Sequence, residues 1–301
     1  MAAEWAIGVD LGGTKILAGL VSRDGRVERR VERPTPLESE AELVEALVAI
    51  VQSFVPEGSA VGLGIPSTID QRRGVATGSV NIPFEDVPLR EVLRERVRLP
   101  AGIENDGNAA ALAEWKFGAG RGSSDMVMLT LGTGVGGGVV TDGRLFRGWA
   151  ELGHVVIEHD GAPCFGDCTG LGHLEALVSG SAANRLAEET FGVGTSSREL
   201  VEQARDGDPV ALGALDRLGS YLGSGIASFV NIFNAELIVI GGGFGLAAGD
   251  LVLPAARRIV EREVLAPARG RVRIVPAELG EEAGLVGAGL IGFEALAEGG
   301  S

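Results

Sequence analysis

The sequence predicts a duplicated α/β protein of two lobes. A strand, glycine turn and second strand near the N-terminus, over residues 5–21, are repeated in plan from Asp125 onward. Each copy is followed by segments with helical apolar spacing and by further short apolar strands. A chain of 301 residues is also long enough to bury two cores. No Pro- or Ser-rich tether separates the halves, so the lobes are expected to be joined by packed structure around a cleft.

In the first copy an apolar strand enters Gly12-Gly13 and a second apolar strand leaves it, closed by the hairpin signal Asp24-Gly25. An amphipathic helix is expected over 38–54, a short buried strand over 60–65, and a polar loop ending near Asn81-Ile82-Pro83. A charged helix near 89–97 leads to a strand over 101–104, and the Ala-rich run 108–117 reads as helix. The second copy is MVMLTLG followed by TGVGGGVVTDGRLF. After a loop holding all three histidines, helices are expected over most of 174–233. A strand over 237–240 runs into Gly241-Gly242-Gly243; a helix, a strand near 272–275 and a closing helix around 283–296 complete the chain. The expected lobes are 1–115 plus 284–301, the smaller, and 116–283, the larger.

Composition narrows the function. Forty-one acidic against 26 basic residues give a formal charge of −15, which disfavours nucleic acid, because duplex binding depends on Lys and Arg displacing counterions. The same charge is compatible with ATP, which needs a local patch of amides, a lysine and a metal ion. The N-terminus has no basic stretch followed by an apolar one, so no signal peptide is expected. The uncharged stretch 218–235 contains Gly, Ser and Asn, with Leu218, Leu222, Ile226, Phe229, Val230 and Phe233 at helical spacing. It reads as a buried helix, not a membrane span, and a cytoplasmic protein is expected.

Three glycine turns are candidates for ligand contact. Asp10-Leu11-Gly12-Gly13-Thr14-Lys15 lies between strands, where backbone amides can approach an anion and Thr14 and Lys15 add donors; a tight β-turn is the plainer reading. It is not a Walker A loop, since the GxxxxGK[ST] spacing is absent. Gly132-Thr133-Gly134 stands in the equivalent place in the second copy. Gly241-Gly242-Gly243 follows a strand, which invites a dinucleotide reading, but too little chain follows for that fold. A turn against an adenosine or a close backbone crossing remain open for it.

Together IGVDLGGTK, ENDGNAAALAE, LGTGVGGG, AELGH, HLEALVSG and IVIGGG resemble the ROK family (repressors, open reading frames, kinases), in particular its bacterial glucokinases, over essentially the whole chain. The resemblance implies the actin-like ATPase (ribonuclease H-like) fold, with ATP, Mg2+ and a sugar as ligands. It implies ATP-dependent phosphorylation of a hexose, glucose to glucose 6-phosphate first, with a carboxylate accepting the hydroxyl proton. That carboxylate corresponds to Asp106, after a strand and at the start of a helix, where the helix dipole is expected to keep it ionised. An ordinary helix cap is the alternative. Sugar contacts carry over to Asn105, Asp106, Glu151, His154 and Glu175, with Asn81 as a further member. Nucleotide contacts carry over to Asp10, Gly12, Gly13, Thr14, Lys15, Gly132, Thr133, Gly134, Gly241, Gly242 and Gly243.

The family commonly has a structural zinc held by one His and three closely spaced Cys. Here the loop offers His154, Cys164, Cys168 and His173: the first Cys pair is wider than usual, and His173 takes the place of the last Cys. Two thiolates and two imidazoles can still close a tetrahedral zinc site; a lapsed site with two free thiols is the alternative. His159 is read as a bystander. Between Gly148 and Glu151 only Trp149 and Ala150 intervene, fewer than in most members, which bears on the identity of the sugar.

Other readings are a kinase for fructose, mannose or an N-acetylhexosamine, a polyphosphate-using kinase, a sugar-sensing protein that does not bind DNA, and a dinucleotide-dependent enzyme. A sugar-responsive repressor of this family needs a winged helix-turn-helix before the first strand, which is read here a few residues after Met1. A homodimer or homotetramer is expected by resemblance.

Overall fold

The structure, a computed structural model, describes residues 5–79, 81–166 and 168–299. Its contacts divide the chain into two units: Met1–Arg121 with Arg147–Trp149 and Glu281–Ser301, and Gly122–Phe146 with Ala150–Gly280.

The first unit is built on a five-stranded sheet of order β3-β2-β1-β4-β8. Strands β1 (Trp5–Leu11), β2 (Lys15–Ser22) and β3 (Val27–Pro34) form an antiparallel meander, with Leu11 opposite Ile16 across the first glycine turn. Helix α1 (Glu40–Gln52) follows, its N-cap Ser39 accepting from the Glu42 amide. Strand β4 (Val61–Ile65) lies parallel to β1. Its five residues are all buried, as a strand covered on both faces must be.

The polar stretch expected to be a loop instead contains β5 (Thr68–Asp70) and β6 (Val75–Gly78), which form a separate three-stranded antiparallel sheet with β7 (Glu85–Val87), just beyond it. The two hydroxyls of Thr68 and Thr77 meet at 2.6 Å across its first pair of strands. Helix α2 (Leu89–Val97) then leads to β8 (Ala101–Asn105), parallel to β4, and α3 (Asp106–Phe117) starts on the next residue.

The second unit repeats the sheet: β11-β10-β9-β12-β13. Strands β9 (Met126–Leu131), β10 (Val135–Thr141) and β11 (Arg144–Leu145) are antiparallel, with Leu131 opposite Val135 across the second glycine turn. A one-turn helix over Leu152–His154 and the cysteine loop precede α4 (Leu174–Val178), α5 (Gly180–Phe191), α6 (Ser197–Arg205) and the long α7 (Pro209–Phe233). Strand β12 (Leu237–Gly241), helix α8 (Gly243–Glu263) and β13 (Arg273–Pro276) complete this unit. The uncharged stretch forms the last part of α7, with Leu218, Leu222, Ile226, Phe229 and Val230 buried in its core.

Helix α9 (Ala283–Gly299) returns to the first unit and packs on β1 and β4. The approach is close enough that a Cβ on Gly62 would lie 1.8 Å from the Ala288 carbonyl oxygen, so only glycine fits there. The first core gathers Ile7, Val9, Leu63 and Ile103 from the sheet with Leu43, Leu47 and Phe54. Burial of such side chains stabilises each by about 1.5–3 kcal/mol relative to exposure. Among the described residues no helix is long and apolar enough to cross a membrane.

Candidate active site

In the first unit, the ends of three strands bring two carboxylates together. Asp10 lies near the end of β1, and Asp106 is the first residue of α3 after β8. Gly64 on β4 separates them: a methyl group there would lie 3.6 Å from the Asp106 Cα and 3.9 Å from Asp10 Oδ1. Asn105, not Asp106, caps α3, its Oδ1 accepting from the Asn108 amide at 3.1 Å. The cap reading of Asp106 therefore falls away, and the carboxylate instead accepts from the Gly107 amide at 2.8 Å.

The ionisation of Asp106 differs from the sequence expectation. The helix N-terminus and the Gly107 amide do favour the charged form, but burial outweighs them and raises its pKa. Asp10 is pushed up to about 7, first by burial and then by the charge of Asp106, with Lys15 opposing weakly. Local helix electrostatics are overridden here by desolvation, which only the packed structure determines.

The first glycine turn is held from behind. The Gly12 amide donates to the Lys15 carbonyl at 2.9 Å, and the Thr35 hydroxyl donates to the Gly12 carbonyl at 2.7 Å. Thr14 and Lys15 are exposed, and Lys15 Nζ pairs with Glu32 at 3.2 Å. Asn81, also exposed, lies beside the turn: a Cβ on Gly13 would sit 3.3 Å from its carbonyl oxygen.

In the second unit, Gly132, Thr133 and Gly134 form a tighter turn, the Gly132 amide donating to the Gly134 carbonyl at 3.0 Å. The Gly180 amide at the start of α5 donates to the Gly132 carbonyl at 2.7 Å. Glu175, in the first turn of α4, accepts from the Val135 amide through Oε2 at 2.8 Å. A Cβ on Gly134 would come within 2.3 Å of that same oxygen. Gly242 has φ +81°, and a Cβ there would meet the Leu131 backbone at 2.5 Å. It is a close backbone crossing against β9, while Gly241 ends β12 and Gly243 opens α8.

The cysteine loop brings its four predicted ligands together. His154 Nδ1 lies 3.3 Å from His173 Nδ1, Cys168 Sγ is 3.5 Å from His173 Nδ1, and His154 Nδ1 is 3.9 Å from Cys164 Sγ and 3.8 Å from Cys168 Sγ. A tetrahedral zinc with its usual bond lengths requires N–N edges of about 3.3 Å and N–S edges of about 3.6 Å. The donor set fits zinc in its chemistry, these four edges are close to those values, and all four ligand atoms lie within 4.8 Å of one another. Burial, with smaller contributions from Cys168 and Glu175, holds the metal-free Cys164 thiol up at about 11. His159 stands apart, exposed and paired with Asp160.

Glu175 Oε1 also lies 3.8 Å from Cys164 Sγ, so this carboxylate is set between the glycine turn and the metal loop. Glu151 is exposed on the turn leading to His154, whose amide donates to the Glu151 carbonyl at 3.0 Å.

Two groups near these sites gave no sign of their role in the sequence. Arg185 on α5 donates to the Ala176 carbonyl and stacks its guanidinium 5.1 Å from the Phe165 ring centroid, holding the metal loop against α4. Glu104, the residue before Asn105, is buried and paired with Arg147 at 3.1 Å. Its place beside the Asn-Asp pair was visible, but its partner lies 43 positions away.

A sequence profile described as the ROK family matches residues 6–293. The chain is 39% identical over 307 residues to a glucokinase of Thermotoga maritima, covering 95% of this chain and 96% of that protein. The crystal structure of a ROK hexokinase from Thermus thermophilus superposes with a TM-score of 0.86 at 38% identity, covering 98% and 99% of the two chains. That of a ROK family glucokinase from Streptomyces griseus, in complex with glucose and AMPPNP, gives 0.82 at 34% identity, covering 96% and 99%.

Proposed function

The chain belongs to the ROK family, and we propose that it is an ATP-dependent hexose kinase that converts glucose to glucose 6-phosphate, with Asp106 as the general base. The observation that carries this is the corner between β8 and α3, where a half-buried carboxylate is presented at a helix N-terminus beside Asn105. A base must attract a proton at working pH, and the burial that raises the pKa of Asp106 supplies that affinity. The similarity to glucokinases across almost the whole chain supports glucose as the sugar.

Phosphoryl transfer makes few demands beyond position and charge. In this reading the Gly12–Lys15 and Gly132–Gly134 turns serve the phosphates, and Gly241 to Gly243 the nucleoside side. Asn81, Asn105, Glu151, His154 and Glu175 hold sugar hydroxyls, and Asp106 takes the proton of the reacting one. Asp10, a half-buried acid near the first glycine turn whose pKa is raised, would hold a Mg2+ ion, leaving Asp106 free to act as the base. When bound with ATP, that ion neutralises charge on the phosphates.

Zinc is assigned to His154, Cys164, Cys168 and His173. Four protein ligands leave no open position, so its role is structural. Ligation of His154 through Nδ1 leaves Nε2–H to donate to a sugar hydroxyl. The same reading places the enzyme in the cytoplasm as a homodimer or homotetramer that does not bind nucleic acid; light scattering tests the assembly.

A coupled ADP-release assay over glucose, fructose, mannose and N-acetylhexosamines tests the function, with polyphosphate replacing ATP in a parallel series. Turnover of glucose with ATP above all other pairs is the expected result. A chain that phosphorylates none of these sugars would end the proposal.

A further inference from the structure

Glu104 has a side chain only 3% exposed, yet it is acidic. Its Oε1 accepts from the Asn105 amide at 3.0 Å and from Asn108 Nδ2 at 3.1 Å, and its Oε2 accepts from Arg147 Nε at 3.1 Å. Asn105 caps α3 and Asp106 is the first residue of that helix, so these bonds brace the corner from which Asp106 projects. Arg147 Nη2 reaches a second carboxylate, Glu294 on α9.

The position of Arg147 in the chain adds a second consequence. Residues Arg147–Trp149 belong to the first unit, although the residues on either side belong to the second. The strap is followed by Ala150, which has φ +31°, and then by Glu151. An arginine paired with two carboxylates of the first unit holds the strap there.

We infer, on the basis of the kinase reading, that Arg147 is a positioning residue: it neutralises Glu104, fixes the β8–α3 corner that aims Asp106, and pins the strap leading into Glu151. An ordinary surface ion pair would do none of this, because exposed pairs contribute little. The two partners of Arg147 differ in that respect. Glu294 is 43% exposed, whereas removing the partner of buried Glu104 leaves a charge that water cannot reach. Small misplacements of a reacting group are costly, so the effect belongs in turnover as well as in stability.

The test compares Arg147→Met, Arg147→Lys, Glu104→Gln and Glu294→Gln with wild type, measuring kcat, sugar KM, ATP KM and melting temperature. Arg96→Met, which breaks the exposed pair with Glu45, is the control. Arg147→Met is expected to lower kcat by about 30- to 100-fold and to raise sugar KM, with ATP KM within about twofold of wild type. Arg147→Lys should recover most of kcat, since an ammonium still answers Glu104, and Glu294→Gln and the control should match wild type. A folded Arg147→Met with kcat and sugar KM both within about twofold of wild type, or with only its melting temperature lowered, overturns the inference. Should that variant not fold, Glu104→Gln decides: a roughly five- to tenfold loss of kcat supports it, and unchanged kcat overturns it. Wild type inactive on every hexose would instead sink the kinase reading, so the two failures are distinguishable.

Discussion

Asp10 stands two residues before Gly12 in the first unit, and Thr130 stands two residues before Gly132 in the second. The sheets around them have the same order, with two successive antiparallel pairings on one side and two parallel pairings on the other. One frame thus carries an acid near its glycine turn and the other a neutral hydroxyl. The first unit gathers the half-buried carboxylates of Asp10 and Asp106 at its strand ends. The second braces its turn with Glu175 and the start of α5, and adds a loop that clusters two histidines and two cysteines. The comparison teaches that duplicating a sheet duplicates its glycine turns, while the charge beside each turn is free to diverge.

The sharpest way to break this comparison is Asp106→Asn. Loss of the base should lower kcat by about 10²- to 10⁴-fold while calorimetry still detects sugar binding. Full activity in the variant would remove the chemistry from the first unit.

Stripping the metal tests the second unit in the same way. Freshly purified protein is expected to contain one zinc per chain, and its removal, or Cys164→Ser, should lower melting temperature and weaken sugar binding together, the latter by about 10- to 100-fold. Elemental analysis without zinc, or chelation that leaves sugar affinity intact, would end that role for the loop.

Asp10→Asn probes the price of the buried acid. Its folded pKa of about 7 lies above the ordinary 3.8. Between these values the folded protein binds more protons than the unfolded chain, so this group makes stability fall as pH rises through the window and then level off. In metal- and nucleotide-free protein the variant should therefore lose that slope and gain on the order of 2–4 kcal/mol above pH 7. Parallel pH–stability curves for the two proteins, from denaturant melts, would contradict it. The corresponding change at Thr130 has no charge to remove.

The smallest effect is expected from Gly134→Ala. The new methyl group would displace Glu175 Oε2 from the Val135 amide, raising sugar KM by about five- to tenfold with a modest change in kcat. An unchanged KM would separate Glu175 from the sugar.

Much of the fold was legible because its signals are local. The apolar strands, glycine turns and alternating helices of both copies lie where periodicity places them. The small sheet β5-β6-β7 was not legible, since TID, VATG and EDV are too short and too mixed to show an apolar alternation. Those strands exist because they pair with one another. The β8–α3 corner was visible in Glu104-Asn105-Asp106, but not which residue caps the helix.

The sequence by itself determined the strand–turn plan, the chemistry available at each turn, and the two histidines and two cysteines offered by one loop, because residue types and short-range spacing specify these. Tertiary structure decided the rest: that Asp10 and Asp106 come together at one corner, that desolvation outweighs the helix dipole there, that His154, Cys164, Cys168 and His173 cluster, and that Arg147 answers Glu104. Each of these depends on distances between residues far apart in the chain and on the exclusion of water, which no local pattern records.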